Sequence, residues 1–237
     1  MKEALYTIPV NDAFAEVCEC PVCKMYADIE KDVIEFTMGP SYMEDDIRAE
    51  TDKTGFCANH IKKLYVHQNR LGLGLIFNTH LEYTIKHMNK LMPKDIKAPS
   101  MFKKKAPDSW VEFLEKLEGS CYVCNKVNKT FDRYIATIFH MYTNDSDFVS
   151  LFEKSKGFCT EHYLLLYKSA ANYLSGRRYE EFMSSLNKIY ANSLKVMQED
   201  VEWFTDKFDY RNADAPWKNS KDALPRCIQK TNSVMVE

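Results

Sequence analysis

The sequence predicts an all-α protein made of two pseudo-repeated helical units, each closed by a Cys3His metal site. Three observations carry this. Apolar residues recur at spacings of three and four through long stretches of the chain. No run of alternating apolar and polar residues bounded by turn signals reads as a strand. One cysteine–histidine spacing also occurs twice. Cys20-x2-Cys23 is followed by Cys57-x2-His60, and Cys121-x2-Cys124 by Cys159-x2-His162.

Aligning Cys20 with Cys121 brings more than these residues into register. Gly55-Phe56-Cys57-x-x-His60 continues to Leu64-Tyr65, and Gly157-Phe158-Cys159-x-x-His162 continues to Leu166-Tyr167. The shared template Gly-Phe-Cys-x-x-His-x-x-x-Leu-Tyr marks a duplicated unit. In the first copy Val22, Met25, Tyr26, Ile29, Val33 and Phe36 form a stripe that predicts a helix over 22–36. Its counterpart spans 123–141, with Val127, Phe131, Tyr134, Ile135, Ile138 and Met141. A further helix is expected beyond each histidine, then longer amphipathic helices over 75–91 and 179–208.

Met92 to Asp108 carries three prolines and is strongly basic, so it reads as the link between copies. Asp108 or Ser109 is expected to cap a helix beginning near Trp110. The Lys103–Lys105 run within the link reads as solvated rather than as a binding patch. After Tyr210 the composition changes. Ser220 can cap a short helix over 221–228 that docks Trp217, Leu224 and Ile228, the alternative being a disordered tail. The expected organisation is a first unit at 1–95, a linker at 96–107, a second unit at 108–210 and a tail at 211–237.

Composition narrows the function classes. A chain of 237 residues can bury one large core or two cores of about 100 residues each. The net charge of −2 gives no electrostatic case for a nucleic-acid binder. The first residues lack a signal-peptide pattern and no window is apolar enough to cross a membrane, so a cytoplasmic protein is expected. Eight cysteines in that reducing compartment point to metal or redox chemistry rather than a disulfide framework.

The expected ligands are Cys20, Cys23, Cys57 and His60 in one set, and Cys121, Cys124, Cys159 and His162 in the other. Two intervening residues place a pair on one side of a helix start, where both can meet one ion. The glycine suits a tight turn, and a helix N-terminus favours a thiolate. A closed Cys3His set is the signature of structural zinc, two ions in all. The alternative is an iron–sulfur cluster or labile iron in a redox or metal-handling protein. Cys18 motivates that alternative, because it adds a thiol to the first copy where the second has Gly119. Cys18 and Cys227 otherwise read as bystander thiols.

Other motifs are missing. Gly72-Leu73-Gly74 lacks the further glycine or lysine of a nucleotide loop, and no histidine follows a glutamate at the di-iron spacing. Neither a nucleophile elbow nor a His-Glu-x-x-His is present. His80 and His87 share a helix face and read as ordinary histidines; Glu44 to Asp46 and Asp145/Asp147 read as caps and turns. No catalytic residue is proposed, and a protein partner is left open.

The tandem units, with the tail Trp217-Lys-Asn-Ser-Lys-Asp-Ala-Leu-Pro-Arg226, resemble an uncharacterised family of bacterial, clostridial-type proteins with no assigned function. The resemblance covers nearly the whole chain. It implies a soluble intracellular protein and supplies no activity. The reading is therefore a non-enzymatic zinc protein serving as a binding or scaffold module.

Overall fold

A computed structural model describes residues 4–94 and 108–236. The linker at 96–107, with its lysine run, lies outside the described residues. Among these there are eleven α-helices and no strand. The first half holds α1 (Ala4–Ala15), α2 (Pro21–Met38), α3 (Asp45–Thr54), α4 (Ala58–Val66) and α5 (Arg70–Leu91). The second holds α6 (Ser109–Glu118), α7 (Tyr122–Asn144), α8 (Ser146–Lys154), α9 (Thr160–Tyr173), α10 (Gly176–Asp206) and α11 (Ala223–Asn232).

The helices expected from periodicity are present as α2, α7, α4, α9, α5 and α10. The cap before Trp110 is Asp108, whose carboxylate accepts from the Trp110 N–H at 3.0 Å. Three helices were not visible in the pattern: α1, α3 and α8. The acidic clusters read as caps open two of these. Glu44 is the N-cap of α3, and the Asp145 carboxylate caps α8 by accepting from the Asp147 and Phe148 N–H groups. The tail is helical, but its cap is Asp222; Ala223 and Lys230 are buried, and Trp217 docks as expected, its ring 6.0 Å from that of Phe204. Ser220 is fully buried and bonds the Trp217 carbonyl instead, while Leu224 stays half exposed.

The chain divides into two compact units. One comprises Met1–Asp28 with Phe131–Glu237, the other Ile29–Thr130. Both boundaries fall inside a helix, α2 and α7.

In the first unit α10 packs against α9 and α11, and α1 against α8. Its core is aromatic: Phe14, Phe139, Phe148, Phe152, Phe158 and Phe182 are all buried. Phe152 sits within 5.7 Å, ring centre to ring centre, of Phe14, Tyr142, Phe158 and Phe182. Phe158 is the phenylalanine of the repeated template, so the turn carrying Cys159 is anchored in this core.

In the second unit α5 packs against α3, α4 and α6. The Thr79 hydroxyl donates to the Asp52 carboxylate at 2.7 Å, and His80 Nδ1 donates to the Asp52 carbonyl at 2.8 Å. His87 donates to the Tyr83 carbonyl and stacks on Phe113 at 4.8 Å. Both histidines are thus packing residues of this unit.

Candidate metal centres

The sequence places each pair at a helix start by the same means in both copies. Cys57 and Cys159 are N-caps of α4 and α9, with φ/ψ of −71°/164° and −69°/163°. The preceding Gly55 and Gly157 have φ of +55° and +100°, the region where a Cβ is penalised. A Cβ on Gly157 would lie 2.7 Å from the Ser193 Cβ, so space as well as dihedral demands glycine. Cys20 and Cys121 stand immediately before α2 and α7. Their sulfurs accept the Cys23 and Cys124 backbone N–H groups at 3.4 and 3.5 Å, which meets one orphan donor of each helix.

All eight expected residues gather into two groups, and these are the groups of possible metal ligands found among the described residues. Each unit holds one. Centre 1, in the unit containing the termini, is Cys20, Cys23, Cys159 and His162. Centre 2 is Cys57, His60, Cys121 and Cys124. The expected pairing is therefore overturned. Cys20 and Cys23 do not join Cys57 and His60, nor do Cys121 and Cys124 join Cys159 and His162; each Cys-x-x-Cys meets the Cys-x-x-His of the other copy. The geometry of α2 explains why. Cys20 and Cys23 stand just before and within its first turn, whereas His60 is held by Glu30, about two turns beyond Cys23 along the same helix.

The donor atoms are close and unbonded. In centre 1 the Cys159 sulfur lies 3.9 and 3.5 Å from those of Cys20 and Cys23. His162 Nδ1 lies 3.6, 3.3 and 3.1 Å from the sulfurs of Cys20, Cys23 and Cys159. In centre 2 the Cys57 and Cys124 sulfurs are 3.9 Å apart. There His60 Nδ1 lies 3.2, 3.3 and 3.2 Å from Cys57, Cys121 and Cys124. A disulfide needs about 2.05 Å, so these are free thiols. A tetrahedron with metal–sulfur bonds of about 2.3 Å and metal–nitrogen bonds of about 2.0–2.1 Å has edges of about 3.8 and 3.5 Å. The donor sets have the size of a shell around one ion.

Their electrostatics fit a cation too. Contacts with the thiolate of Cys121 first, and with Glu30, raise the His60 imidazole to about 9 against burial. Burial works against the charge on His162, yet the Cys159 and Cys20 sulfurs raise it to about 10. Cys159 falls well below the thiol range because Cys20 and Cys23, then His162, stabilise its anion. Burial works against the Cys121 thiolate, but His60 and backbone N–H groups bring it down to about 6. Cys23 is pushed far up, chiefly by sharing a proton with Cys159, and burial carries Cys124 to about 12. Each centre can form one thiolate–imidazolium pair, but full deprotonation needs a counter-cation.

The centres differ around their histidines. His60 Nε2 donates to Glu30 at 2.9 Å, and the other Glu30 oxygen meets Lys63 at 2.5 Å. A carboxylate on the far nitrogen fixes the tautomer that leaves Nδ1 free to ligate. His162 instead lies against the ring of Phe131, 5.7 Å between centres. Centre 1 is wholly buried, whereas Cys57 and Cys124 of centre 2 are half-buried. Glu30 escaped the sequence reading and Phe131 entered it only as an apolar stripe residue, although the repeat alignment that matches Cys20 with Cys121 also matches these two residues.

A family model whose members share no assigned activity matches residues 1–237. The chain belongs to the family of unknown function DUF6062. Comparison of this DUF6062 protein with curated proteins and with solved structures returned no match. Its two Cys3His groups thus carry the functional argument. No described helix is long and apolar enough to cross a membrane.

Proposed function

We propose that this DUF6062 protein is a zinc protein, with two structural ions holding its fold, that serves as a non-enzymatic binding module for a protein partner in the cytoplasm. The observation carrying the reading is the spacing of the two donor sets, in which three thiolates and one imidazole complete a tetrahedron. With four protein ligands per ion no position is left for substrate, which is the habit of structural zinc. Within each group every donor atom lies within 4.8 Å of the others. A cluster, whose ligands bind different iron atoms, spreads them further. Cys18 supplies no extra ligand: its sulfur faces the Ala13 carbonyl at 3.9 Å, and burial, then Cys20, raises its thiol to about 11.

Metal analysis and an absorption spectrum of anaerobically purified protein test the proposal. Two zinc ions per chain without a visible band are expected. Iron and sulfide with a band near 400 nm would overturn it in favour of the cluster.

A further inference from the structure

The unit containing centre 1 also holds a cleft of about 910 Å³, at the upper end of the range for small-molecule sites. One wall is the exposed face of α10. The others are the end of α8 and the turn leading into α11. The lining carries six cationic side chains against four acidic ones in a chain whose net charge is −2, so it is a local reversal of sign.

Three of the four acids are already neutralised. Both terminal nitrogens of Arg226 reach Asp200 at 3.0 Å, and its Nε reaches Asp222 at 3.0 Å. Glu19 is met by Arg226 at 3.5 Å, Lys156 at 3.6 Å and the fully buried Lys230 at 3.2 Å. Glu153 accepts from the Ser185 hydroxyl at 2.9 Å. Lys218 is held over the Trp203 ring at 4.0 Å by a backbone with φ of +52°, unusual for a residue with a Cβ. That leaves Lys154, Lys188 and Lys221, one from each wall, without an ion pair among the described residues. Three uncommitted ammonium groups outnumber Glu153, the one lining acid without an ion pair among the described residues; with serine and asparagine side chains between them, they form a receptor for more than one negative group.

We infer that this cleft binds a small multiply charged anion, a phosphorylated or polycarboxylate metabolite. The cleft is joined to centre 1 through the chain. Glu19 immediately precedes Cys20, and Lys156 precedes the Gly157-Phe158-Cys159 turn. The Lys230 ammonium donates to the carbonyls of both, at 2.5 and 3.0 Å. Ligand in the cleft and metal in centre 1 therefore stabilise the same two segments, so each raises retention of the other.

Calorimetric titration of the metal-loaded protein with inorganic pyrophosphate and with citrate, at fixed ionic strength, tests this. Saturable one-to-one binding of at least one probe is expected; preference for pyrophosphate assigns a phosphate ligand and preference for citrate a carboxylate one. The variant Lys154→Gln/Lys188→Gln/Lys221→Gln should bind at least tenfold more weakly while keeping its metal content and melting temperature. A control variant in the other unit, Lys31→Gln/Lys62→Gln/Lys86→Gln, should bind as the parent does. Binding of neither probe, unchanged affinity in the first variant, or equal loss in the control would each overturn the inference. Metal content is read separately, so its failure leaves the zinc reading standing.

Discussion

Exchange of half-sites between the copies makes a quantitative prediction about pairs of cysteines. Cys57 and Cys121 are far apart in sequence and belong to one centre, whereas Cys57 and Cys20 belong to different ones. A structural zinc site contributes about 10–16 kcal/mol of apparent binding energy, so a substitution that releases the ion costs at least the even share of one ligand in four, about 3 kcal/mol. Once Cys57→Ser has emptied centre 2, adding Cys121→Ser has little left to remove. The two substitutions should therefore couple by at least about 3 kcal/mol. Cys57→Ser with Cys20→Ser should be additive within about 0.5 kcal/mol. The metal count gives the same answer in integers. The Cys57/Cys121 variant should keep one ion per chain and the Cys57/Cys20 variant none. Metal-to-protein ratios after gel filtration against a weak chelator, with denaturant titrations for the energies, provide the assay. If the Cys57/Cys20 variant keeps one ion and couples strongly, while the Cys57/Cys121 variant keeps none, the exchanged pairing is wrong.

Glu30→Gln should weaken metal retention about 10–100-fold at centre 2 alone, because the carboxylate orients and polarises His60; chelator competition should then become biphasic, and a uniform shift of both ions would contradict the role. Loading should also release protons, since in the metal-free centre His60 at about 9 and Cys124 at about 12 both hold theirs at pH 7. Metal competes with those protons, so affinity at centre 2 should rise with pH by at least about 100-fold per unit near neutrality; a pH-independent affinity would refute it. Phe152→Ala, at a fully buried ring in the aromatic core, should cost about 3–5 kcal/mol in denaturant unfolding, and a loss under about 1 kcal/mol would place the core elsewhere.

The ligand identities were readable because chemistry restricts them: only thiolates and imidazoles at this spacing serve such an ion, and both copies had them. The long helices were readable because their stripes repeat over several turns. The short helices were not. α3 opens with Asp45 and Asp46 and buries only Ile47 and Thr51, too few apolar positions to show a period. The pairing of half-sites was invisible for a different reason. Both copies offer identical donors, and the shorter loop favours closure within a copy. That preference is weak. Closing loops of 64 and 136 residues, the separations of Cys57 from Cys121 and of Cys23 from Cys159, instead of the shorter ones within a copy costs only about 1–2 kcal/mol in total. Specific packing of the size made by Phe158 in the core, or by Glu30 on His60, exceeds it. Such contacts depend on where α2 and α7 end up, which no local pattern records.

If each ion joins the N-terminal copy to the C-terminal copy, the chain need not be continuous for the protein to hold together. A protease site placed within residues 96–107, between the copies, separates a fragment with Cys20, Cys23, Cys57 and His60 from one with Cys121, Cys124, Cys159 and His162. Pairing within copies would give each fragment its own complete site and no metal-dependent reason to stay with the other. The exchanged pairing gives each fragment two half-sites, and neither can hold an ion with four protein ligands alone. Two ions shared across the cut, each contributing about 10–16 kcal/mol, exceed what association of two fragments costs in lost freedom, about 4–15 kcal/mol. The nicked protein should therefore elute as one species with two ions, and a strong chelator should convert it into separate or unfolded fragments. Fragments that part while each retains one ion would refute the exchange directly, whatever the metal proves to be.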